Sequence, residues 1–381
     1  MRRWLFLLLA ALLLAPGVRA VSAAPEEAFD LSADAAVLME PETGTVLYEK
    51  DAHGRRSPAS VTKIMTLLLI AEAVDAGTIS MEDSVTASSA AASMGGSQIW
   101  LEEGERMTAE EMLKCVAVAS ANDCAVALGE HLAGSEESFV ELMNRRAAEL
   151  GMEDTHFVNA CGLTAEGHLT SARDVGLMSA ALLREHPWIS EYSLIWQDTV
   201  RNGAFGLDNT NKMIRSYPGL TGLKTGFTSS AGYCISASAE REGLHLIAVI
   251  LGGETKESRT ADASSLLNWG FANYAAVTLG PDRPLEPVPV ILGDRERVEC
   301  RLAAERPLVL PREWLNGLEK SVELAPSLTA PVEEGQQIGT LRVTREGALV
   351  AEIPIAAAQS TARLTLWQIF FCAMRAVVMK F

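Results

Sequence analysis

A serine and a lysine placed three positions apart, at the head of an apolar segment, have the types and spacing needed for nucleophilic catalysis. Ser60 and Lys63 precede the apolar run 64–71, whose composition predicts a buried helix. Ser57 is the predicted N-cap and Pro58 the predicted first helical residue, since a hydroxyl and a proline favour those positions. Residues three apart on a helix share a face, so the hydroxyl and the amine should meet. The same spacing also arises by chance at helix starts, so the interpretation depends on the rest of the chain.

The chemistry expected of this pair is base-assisted attack by a hydroxyl. Ser60 is a weak nucleophile unless a neighbouring base accepts its proton. Lys63 can be that base only when neutral, which requires a pKa well below the ordinary value of ~10.4. Burial and a nearby positive charge both lower the pKa of an amine. The N–H of Ser60, in the first turn of the helix, has no intrahelical partner and can face a developing oxyanion.

Two further short motifs follow in the chain. The triplet 120–122, Ser-Ala-Asn, interrupts the helical segment 108–133, because Ser and Asn side chains compete for backbone hydrogen bonds. The triplet 224–226, Lys-Thr-Gly, opens a stretch whose hydrophobic period changes from helical to alternating. We therefore expect one motif at a helix start, one between two helices and one on an edge strand.

Alternating apolar residues around these motifs predict an antiparallel sheet. The segments 35–40 and 46–50 flank the turn-forming sequence Pro-Glu-Thr-Gly, which is typical of a β-hairpin. A second hairpin is predicted from 233–239 and 244–250, followed by a last helix over about 259–274. Strands at both ends with helices between them favour an α+β arrangement in which helices cover one sheet.

Together, the three motifs in this order resemble those of the penicillin-recognising serine enzymes, which are the penicillin-binding proteins and the serine β-lactamases. The whole chain looks like the low-molecular-mass D-alanyl-D-alanine carboxypeptidases, most closely over about 35–274. The resemblance implies a β-lactamase/transpeptidase-like α+β domain, with an antiparallel sheet and a helical cluster. It also implies a small all-β domain and a C-terminal amphipathic helix. The implied reaction removes the terminal D-alanine from peptidoglycan stem peptides, in cell-wall biosynthesis and remodelling.

The resemblance also implies a role for each motif residue. Ser60 would form the acyl-enzyme, Lys63 would accept the serine proton, and Ser120 would pass a proton toward the leaving amine. The implied substrate-binding residues are Asn122, Lys224, Thr225, Gly226, Phe227 and Arg259.

The implied substrate contacts differ from residue to residue. Asn122 would bind the substrate amide, while Lys224 and Thr225 would face its terminal carboxylate. Gly226 would let the acyl group approach the strand, and the N–H of Phe227 would be the second oxyanion donor. Arg259 is expected near the same carboxylate, with a solvated arginine at a helix start as the alternative.

Two alternative functions share the motifs. A serine β-lactamase would need a deacylating glutamate, and the nearest match, Glu166 in the segment 166–170, is interpreted as a coincidence. A penicillin-binding sensor or scaffold without useful turnover would need a signalling segment across the membrane. The sequence contains neither Cys-x-x-Cys nor His-Glu-x-x-His, so we expect no metal and no cofactor.

The chain of 381 residues is too long for one compact domain, and its ends differ in composition from its middle. A basic start followed by an apolar run and small residues predicts a signal peptide, cleaved after Ala20 or Ala23. A proline-rich linker at 281–287 separates the two folded parts. The predicted divisions are a signal peptide at 1–23, a carboxypeptidase domain at 24–278, a β-rich domain at 284–358 and an anchor helix at 361–381.

The net charge and the composition of the tail restrict the partners that we expect the protein to bind. The formal net charge of −17 disfavours nucleic acid, because phosphate binding needs a basic surface. The expected partners are a pentapeptide ending in D-Ala-D-Ala, β-lactam antibiotics as covalent inhibitors, and a membrane surface that binds the segment 361–381. That tail is apolar and basic without any acidic residue, so we expect the exported protein on the outer face of the cytoplasmic membrane. The six cysteines are expected to be mostly buried free thiols.

Overall fold

The computed structural model describes residues 30–303 and 307–378. The predicted signal peptide and the last three residues of the predicted anchor helix lie outside the described residues. The chain divides into two compact units after Ala275.

The helices of the first unit are α1 (Lys63–Asp75), α2 (Ser89–Ala92), α3 (Ala109–Val118), α4 (Asn122–Ala133), α5 (Glu136–Glu149), α6 (Ala172–Glu185), α7 (Ile189–Ser193) and α8 (Lys256–Asn273). Its strands are β1 (Ala35–Glu40), β2 (Thr45–Lys50), β3 (Ser84–Thr86), β4 (Arg106–Thr108), β5 (Gln197–Val200), β6 (Phe205–Asp208), β7 (Leu220–Thr228), β8 (Gly232–Arg241) and β9 (Leu244–Gly253). Short 3₁₀ helices cover Ala59–Thr62 and Lys212–Arg215.

A five-stranded antiparallel sheet in the order β2-β1-β9-β8-β7 organises this unit. Gly270 of α8 lies so close to Leu38 that there is no room for a side chain, and Gly176 of α6 is similarly close to Met39. Successive strand residues point to opposite faces, so α8 and α6 cover the two faces of the sheet. The strand β7 lies at one edge, as the sequence predicts for the Lys-Thr-Gly motif.

Helix α1 is the centre of the helical cluster, because its residues are buried on nearly every side. Such a helix, apolar all round, fits only where other elements surround it. The amine of Lys63 at its first position is therefore carried directly into the core.

The second unit is β-rich. Its strands are β10 (Tyr274–Val277), β11 (Val288–Ile291), β12 (Arg297–Val298), β13 (Cys300–Leu302), β14 (Leu308–Pro311), β15 (Leu318–Leu324), β16 (Leu328–Thr329), β17 (Gln337–Arg345) and β18 (Ala348–Ala357). A four-stranded sheet in the order β13-β18-β17-β15 forms the main layer, and a short 3₁₀ helix covers Arg312–Trp314. The buried side chains of Val298, Leu341, Val343 and Ile355 belong to its core.

The C-terminal helix α9 (Leu366–Val378) leaves large apolar side chains in solvent. Leu366, Trp367 and Phe371 are all more than half exposed. Thr361, which the sequence places inside this helix, instead pairs with Val332 of the β-rich unit. None of the helices that the structure describes is long and apolar enough to cross a bilayer.

The α+β prediction is confirmed, and so are both hairpins of the sheet. The prediction that Ser57 caps the first helix is wrong, since a 3₁₀ turn precedes α1 and no side chain caps it. The last helix begins earlier than predicted, because Thr255 forms a capping box with Ser258. Five cysteines within the described residues are free thiols, of which all but Cys300 are buried.

Candidate active site

The first motif brings a hydroxyl and an amine together in one helical turn. Ser60 lies in the 3₁₀ helix, and Lys63 begins α1 directly after it. The Lys63 Nζ atom is 3.0 Å from Ser60 Oγ. Ala59, immediately before the serine, has a φ of 48°, a left-handed conformation that residues other than glycine rarely adopt. Strain of this kind persists where the surroundings fix the backbone, as active sites commonly do.

Lys63 is fully buried among neutral acceptors. Its Nζ also donates to Asn122 Oδ1 at 2.6 Å and to the carbonyl of Cys161 at 2.7 Å. Burial lowers the pKa of Lys63 to about 8, although the nearby Cys161 and Asp123 act in the opposite direction. At neutral pH roughly a tenth of this amine is therefore an unprotonated base.

Ser120 of the second motif lies in the break between α3 and α4. It has a φ of 63° and is almost entirely buried. Its Oγ atom has no hydrogen-bond partner within the described part of the chain. A buried hydroxyl without a partner is costly, so its oxygen is available to a group that enters the site.

Asn122 ties the second motif to both the first motif and a surface loop. Its side-chain oxygen accepts from Lys63, while Nδ2 donates to the carbonyl of Gly95 at 2.6 Å. Its backbone N–H donates to the carbonyl of Ser97 at 2.7 Å. The surface segment 94–98 is therefore bonded directly to this residue.

Lys224 of the third motif is a second buried cation. Its Nζ donates to the carbonyl of Thr225 at 2.9 Å, and Thr225 Oγ1 donates to Thr210 Oγ1 at 2.8 Å. Burial lowers the pKa of Lys224 well below its usual range, and repulsion from Lys63 and Arg259 lowers it further. The site thus holds two amines close enough to repel each other.

Gly226 brings the edge strand against the reactive turn. A Cβ atom at this position would lie 2.8 Å from the backbone nitrogen of Ser60 and 3.0 Å from that of Val61. Any other residue would therefore push β7 away from the serine. The side chain of Phe227 points outward, is 54% exposed and stacks on Tyr233 with ring centroids 4.3 Å apart.

Arg259 is buried, which contradicts the alternative of a solvated arginine. Only 6% of it is exposed, and its Nη1 donates to the carbonyl of Cys234 at 3.5 Å. The Nε atom has no partner among the described residues. Burial lowers the pKa of Arg259. Because Arg259 repels Lys224, it lies within electrostatic reach of the third motif.

Sequence reasoning missed the loop that carries the third acceptor of Lys63. Asn159 Oδ1 accepts from the backbone nitrogens of Gly162 at 2.7 Å and Leu163 at 3.2 Å, which fixes the carbonyl of Cys161 beside Lys63. Gly162 has a φ of 87° and packs on the backbone of Ala59 without space for a side chain. The available signal was the Asn-x-x-Gly spacing, which is typical of a tight loop.

His168 was also missed as a support of the reactive turn. Its Nδ1 accepts from the backbone N–H of Val158 at 2.9 Å, so Nε2 carries the proton and donates to Thr62 Oγ1 at 2.9 Å. Burial lowers the pKa of His168 to about 4. This histidine therefore positions Thr62 as a neutral group.

One exposed glutamate concerns the β-lactamase alternative, and one cluster of side chains concerns the expectation that no metal is bound. Glu166 is exposed, and no hydrogen bond or ion pair within the described ranges involves its side chain. Glu72, Glu185 and His186 bring possible metal-binding atoms within 4.8 Å of one another. Arg146 donates to both glutamates, at 2.7 Å and 2.9 Å, so both carboxylates are already bonded to an arginine.

Comparison with known families gives two matches along the chain. The family model described as D-alanyl-D-alanine carboxypeptidase, of peptidase family S11, matches residues 20–255. The model of the C-terminal domain of penicillin-binding protein 5 matches residues 279–363.

Individual relatives agree with these matches. The D-alanyl-D-alanine carboxypeptidase DacF of Bacillus subtilis is 42% identical over 330 residues, 85% of each chain. DacC of Escherichia coli is 34% identical over 86% of this chain and 84% of its own length. Penicillin-binding protein 5 of Haemophilus influenzae has a similar structure, with a TM-score of 0.77, 28% identity and coverage of 90% of this chain and all of that one. Penicillin-binding protein D2 of Listeria monocytogenes, solved in its ampicillin-bound form, gives a TM-score of 0.58 and 35% identity, over 63% of this chain and 98% of its own.

Proposed function

The chain belongs to the D-alanyl-D-alanine carboxypeptidase family, and from this premise we propose that it removes the terminal D-alanine from peptidoglycan stem peptides through an acyl-enzyme on Ser60. It is a serine-type carboxypeptidase, a penicillin-binding protein with a function at the cell wall. The observation that carries the proposal is the contact of 3.0 Å between Ser60 Oγ and the buried Lys63 Nζ. A buried, partly neutral amine supplies the base that a serine nucleophile needs.

In the acylation step, Ser60 Oγ attacks the carbonyl carbon of the bond between the two D-alanines, and its proton passes to Lys63 Nζ. The carbonyl oxygen becomes an oxyanion that faces the backbone N–H groups of Ser60 and Phe227. The carbon–nitrogen bond then breaks. Ser120 gives its hydroxyl proton to the leaving amine of D-alanine and takes the proton of Lys63 in return, so Lys63 is neutral again. The products are free D-alanine and a peptidyl ester on Ser60.

In the deacylation step, a water molecule attacks the ester carbonyl and gives a proton to Lys63. The ester bond breaks, and Ser60 Oγ takes that proton back. The shortened peptide leaves with a new carboxylate, and both residues return to their starting protonation states. Because the same lysine serves both steps, a deacylating glutamate is unnecessary.

Substrate selection would depend on charge. The terminal carboxylate of the peptide would bind Lys224, Thr225 and Arg259 through charge-assisted hydrogen bonds. Asn122 would hold the substrate amide, and the absence of a side chain at Gly226 leaves room for the acyl group. The relative crystallised with ampicillin supports the proposal that β-lactams acylate Ser60 as covalent inhibitors.

The test of this proposal is labelling of the protein with a fluorescent penicillin. The parent protein should form a covalent adduct that survives denaturation, and Ser60→Ala should abolish it. A tryptic peptide that contains residue 60 should carry the label in mass spectrometry. Labelling that persists in the Ser60→Ala variant would contradict the assignment. Release of D-alanine from a pentapeptide ending in D-Ala-D-Ala should be lost in the same variant.

We further propose that the tail attaches the exported protein to the outer face of the cytoplasmic membrane. The exposed apolar side chains of α9 would enter the interface between lipid and water, and Trp367 suits that depth. The segment 361–381 carries Arg363, Arg375 and Lys380 and no acidic residue. Each basic residue near anionic lipid contributes about 1 kcal/mol, whereas the acidic body is repelled by the same surface.

Truncation before α9 tests this attachment. Leu364 N–H donates to the carbonyl of Leu292 at 2.9 Å, so a protein that ends at Thr365 keeps the bonds of the β-rich unit. It should be active and absent from the membrane pellet, in contrast to the full chain. A matched full-length variant, Trp367→Ser with Phe371→Ser, should also be released. Membrane pelleting of the truncated protein at undiminished levels would refute the proposal.

A further inference from the structure

A threonine outside the three motifs joins the second motif to the third. The backbone N–H of Thr210 donates to the carbonyl of Val118 at 3.1 Å, two residues before Ser120. Its side-chain oxygen, Oγ1, accepts from Thr225 Oγ1 at 2.8 Å. Thr210 lies between β6 and the 3₁₀ helix Lys212–Arg215, so neither helical nor strand periodicity marks it in the sequence. One residue therefore contacts both the helix end that precedes Ser120 and the hydroxyl proposed to bind the substrate carboxylate.

The backbone around Thr210 is fixed by a buried amide. Asn209, which is 2% exposed, donates through Nδ2 to the carbonyls of Ser193 at 3.0 Å and Ile195 at 2.7 Å. Its Oδ1 accepts from the backbone N–H of Asn211 at 2.8 Å. A buried side chain whose polar groups are all hydrogen-bonded makes its surroundings rigid. The protein itself therefore holds Thr210 in place, before any substrate arrives.

The hydroxyls of Thr210 and Thr225 can form a chain of hydrogen bonds that ends on an anion. A hydroxyl donates one hydrogen bond and accepts up to two, whereas a carboxylate only accepts. Thr225 must therefore turn its proton from Thr210 to a carboxylate in order to bind it. Thr210 is partly exposed, and among the described residues its own hydroxyl proton has no acceptor. A rotation of this hydroxyl lets Thr210 donate to Thr225 Oγ1, and hydrogen bonds in such a chain strengthen one another.

We propose that Thr210 is a positioning residue for recognition of the terminal carboxylate: it holds Thr225 Oγ1 in place and donates a hydrogen bond to it once Thr225 donates to the substrate. The inference rests on the proposed carboxypeptidase function and adds to it a determinant of substrate selection outside the three motifs. No proton moves between the two hydroxyls, since only the directions of the hydrogen bonds change. Thr210 acts through Thr225, so its removal should weaken recognition of the carboxylate more than any other step.

The test measures how strongly each protein prefers a free C-terminus. The readout is the kcat/KM for a pentapeptide ending in D-Ala-D-Ala divided by the kcat/KM for its C-terminal amide. Thr210→Val removes the hydroxyl at nearly constant size and should lower this ratio about three- to tenfold, as expected for one lost hydrogen bond. Thr210→Ser keeps the hydroxyl and should give a ratio within about twofold of the parent value. In a Thr225→Val background, Thr210→Val should change the ratio less than twofold, because two residues that act through one contact are not additive.

The matched control is Thr199→Val, which removes an exposed hydroxyl on β5 and should leave the ratio unchanged. The inference would be overturned if Thr210→Val kept the parent ratio, which includes equal losses on the acid and the amide. The same loss in Thr210→Val and Thr210→Ser, or additive losses with Thr225→Val, would also overturn it. If the parent forms no penicillin adduct on Ser60, the proposed function fails. An intact adduct with an unchanged ratio in Thr210→Val refutes the positioning role alone.

Discussion

The buried Lys63 predicts a pH dependence of acylation that an exposed lysine would not give. Its pKa is lowered from 10.5 to about 8 by burial, which raises the neutral fraction at pH 7 roughly 300-fold over that of an ordinary lysine. The neutral amine is the active base, so acylation should become faster as pH rises. The rate should increase about tenfold between pH 7 and its plateau, with its midpoint near pH 8.

The variant Asn122→Asp should shift the midpoint of the pH dependence, because it places a negative charge beside the amine of Lys63. The variant places a carboxylate oxygen at the position of Oδ1, which is 2.6 Å from Lys63 Nζ. An opposite charge at such a distance raises the pKa of an amine by about one to three units. The midpoint should therefore move above pH 9, and acylation at pH 7 should fall at least about tenfold. Asn122→Ala is the matched control, because it removes the amide without adding charge and should not move the midpoint upward.

The assay is the first-order acylation rate at saturating penicillin, measured by stopped flow between pH 6 and pH 10. Saturation matters because Lys224, whose pKa burial also lowers, acts in binding and would otherwise add its own titration. A parent rate that is flat over this range would refute the reasoning. So would the same midpoint in the parent and in Asn122→Asp, since the carboxylate would then not reach the base.

Two further predictions concern selectivity and turnover. Amidating the C-terminus of the peptide should lower kcat/KM at least about 30-fold, as expected for losing a charge-assisted hydrogen bond. Arg259→Gln should weaken the discrimination between the acid and the amide peptide. Equal discrimination in the parent and in this variant would exclude Arg259 from the carboxylate site. Glu166→Gln should leave the slow hydrolysis of penicillin unchanged, because that carboxylate is exposed. The β-lactamase alternative would be favoured if the parent hydrolysed penicillin rapidly and this variant did not.

The chemistry of the site could be predicted from the sequence because it depends on short local spacings. The contact between Ser60 and Lys63 follows from one turn of helix. The position of Ser120 between two helices follows from the Ser-Ala-Asn break in the helical pattern. The location of Lys224 on a strand follows from the alternating pattern around it. In each case the residues involved are neighbours in the chain, so local sequence signals place them on their elements. Their roles in catalysis are what the resemblance to the penicillin-recognising enzymes implies.

The supporting contacts could not be predicted because they join distant parts of the chain. The carbonyl of Cys161 reaches Lys63 across 98 positions, and His168 reaches Thr62 across 106. No local pattern encodes such pairs, since the tertiary fold determines them. The Ser57 prediction was wrong because the chain enters the helix through a 3₁₀ turn, in which no capping hydroxyl is used. The burial of Arg259 likewise depends on how α8 packs on the sheet.

The site is notable for positive charge held in the core of an acidic protein. Lys63, Lys224 and Arg259 are all buried, and their hydrogen bonds go to carbonyl, hydroxyl and amide oxygens. Within the part of the chain that the structure describes, none of the three forms an ion pair with a carboxylate. Burying an unpaired charge costs several kcal/mol, so folding alone would not favour this arrangement. The same burial lowers the pKa of Lys63, which makes its amine a base. It also leaves Arg259 Nε without a hydrogen-bond partner, so this group can bind an anion. A substrate that brings its own terminal carboxylate supplies the missing partner, so free peptide termini are selected by the same burial that activates the serine.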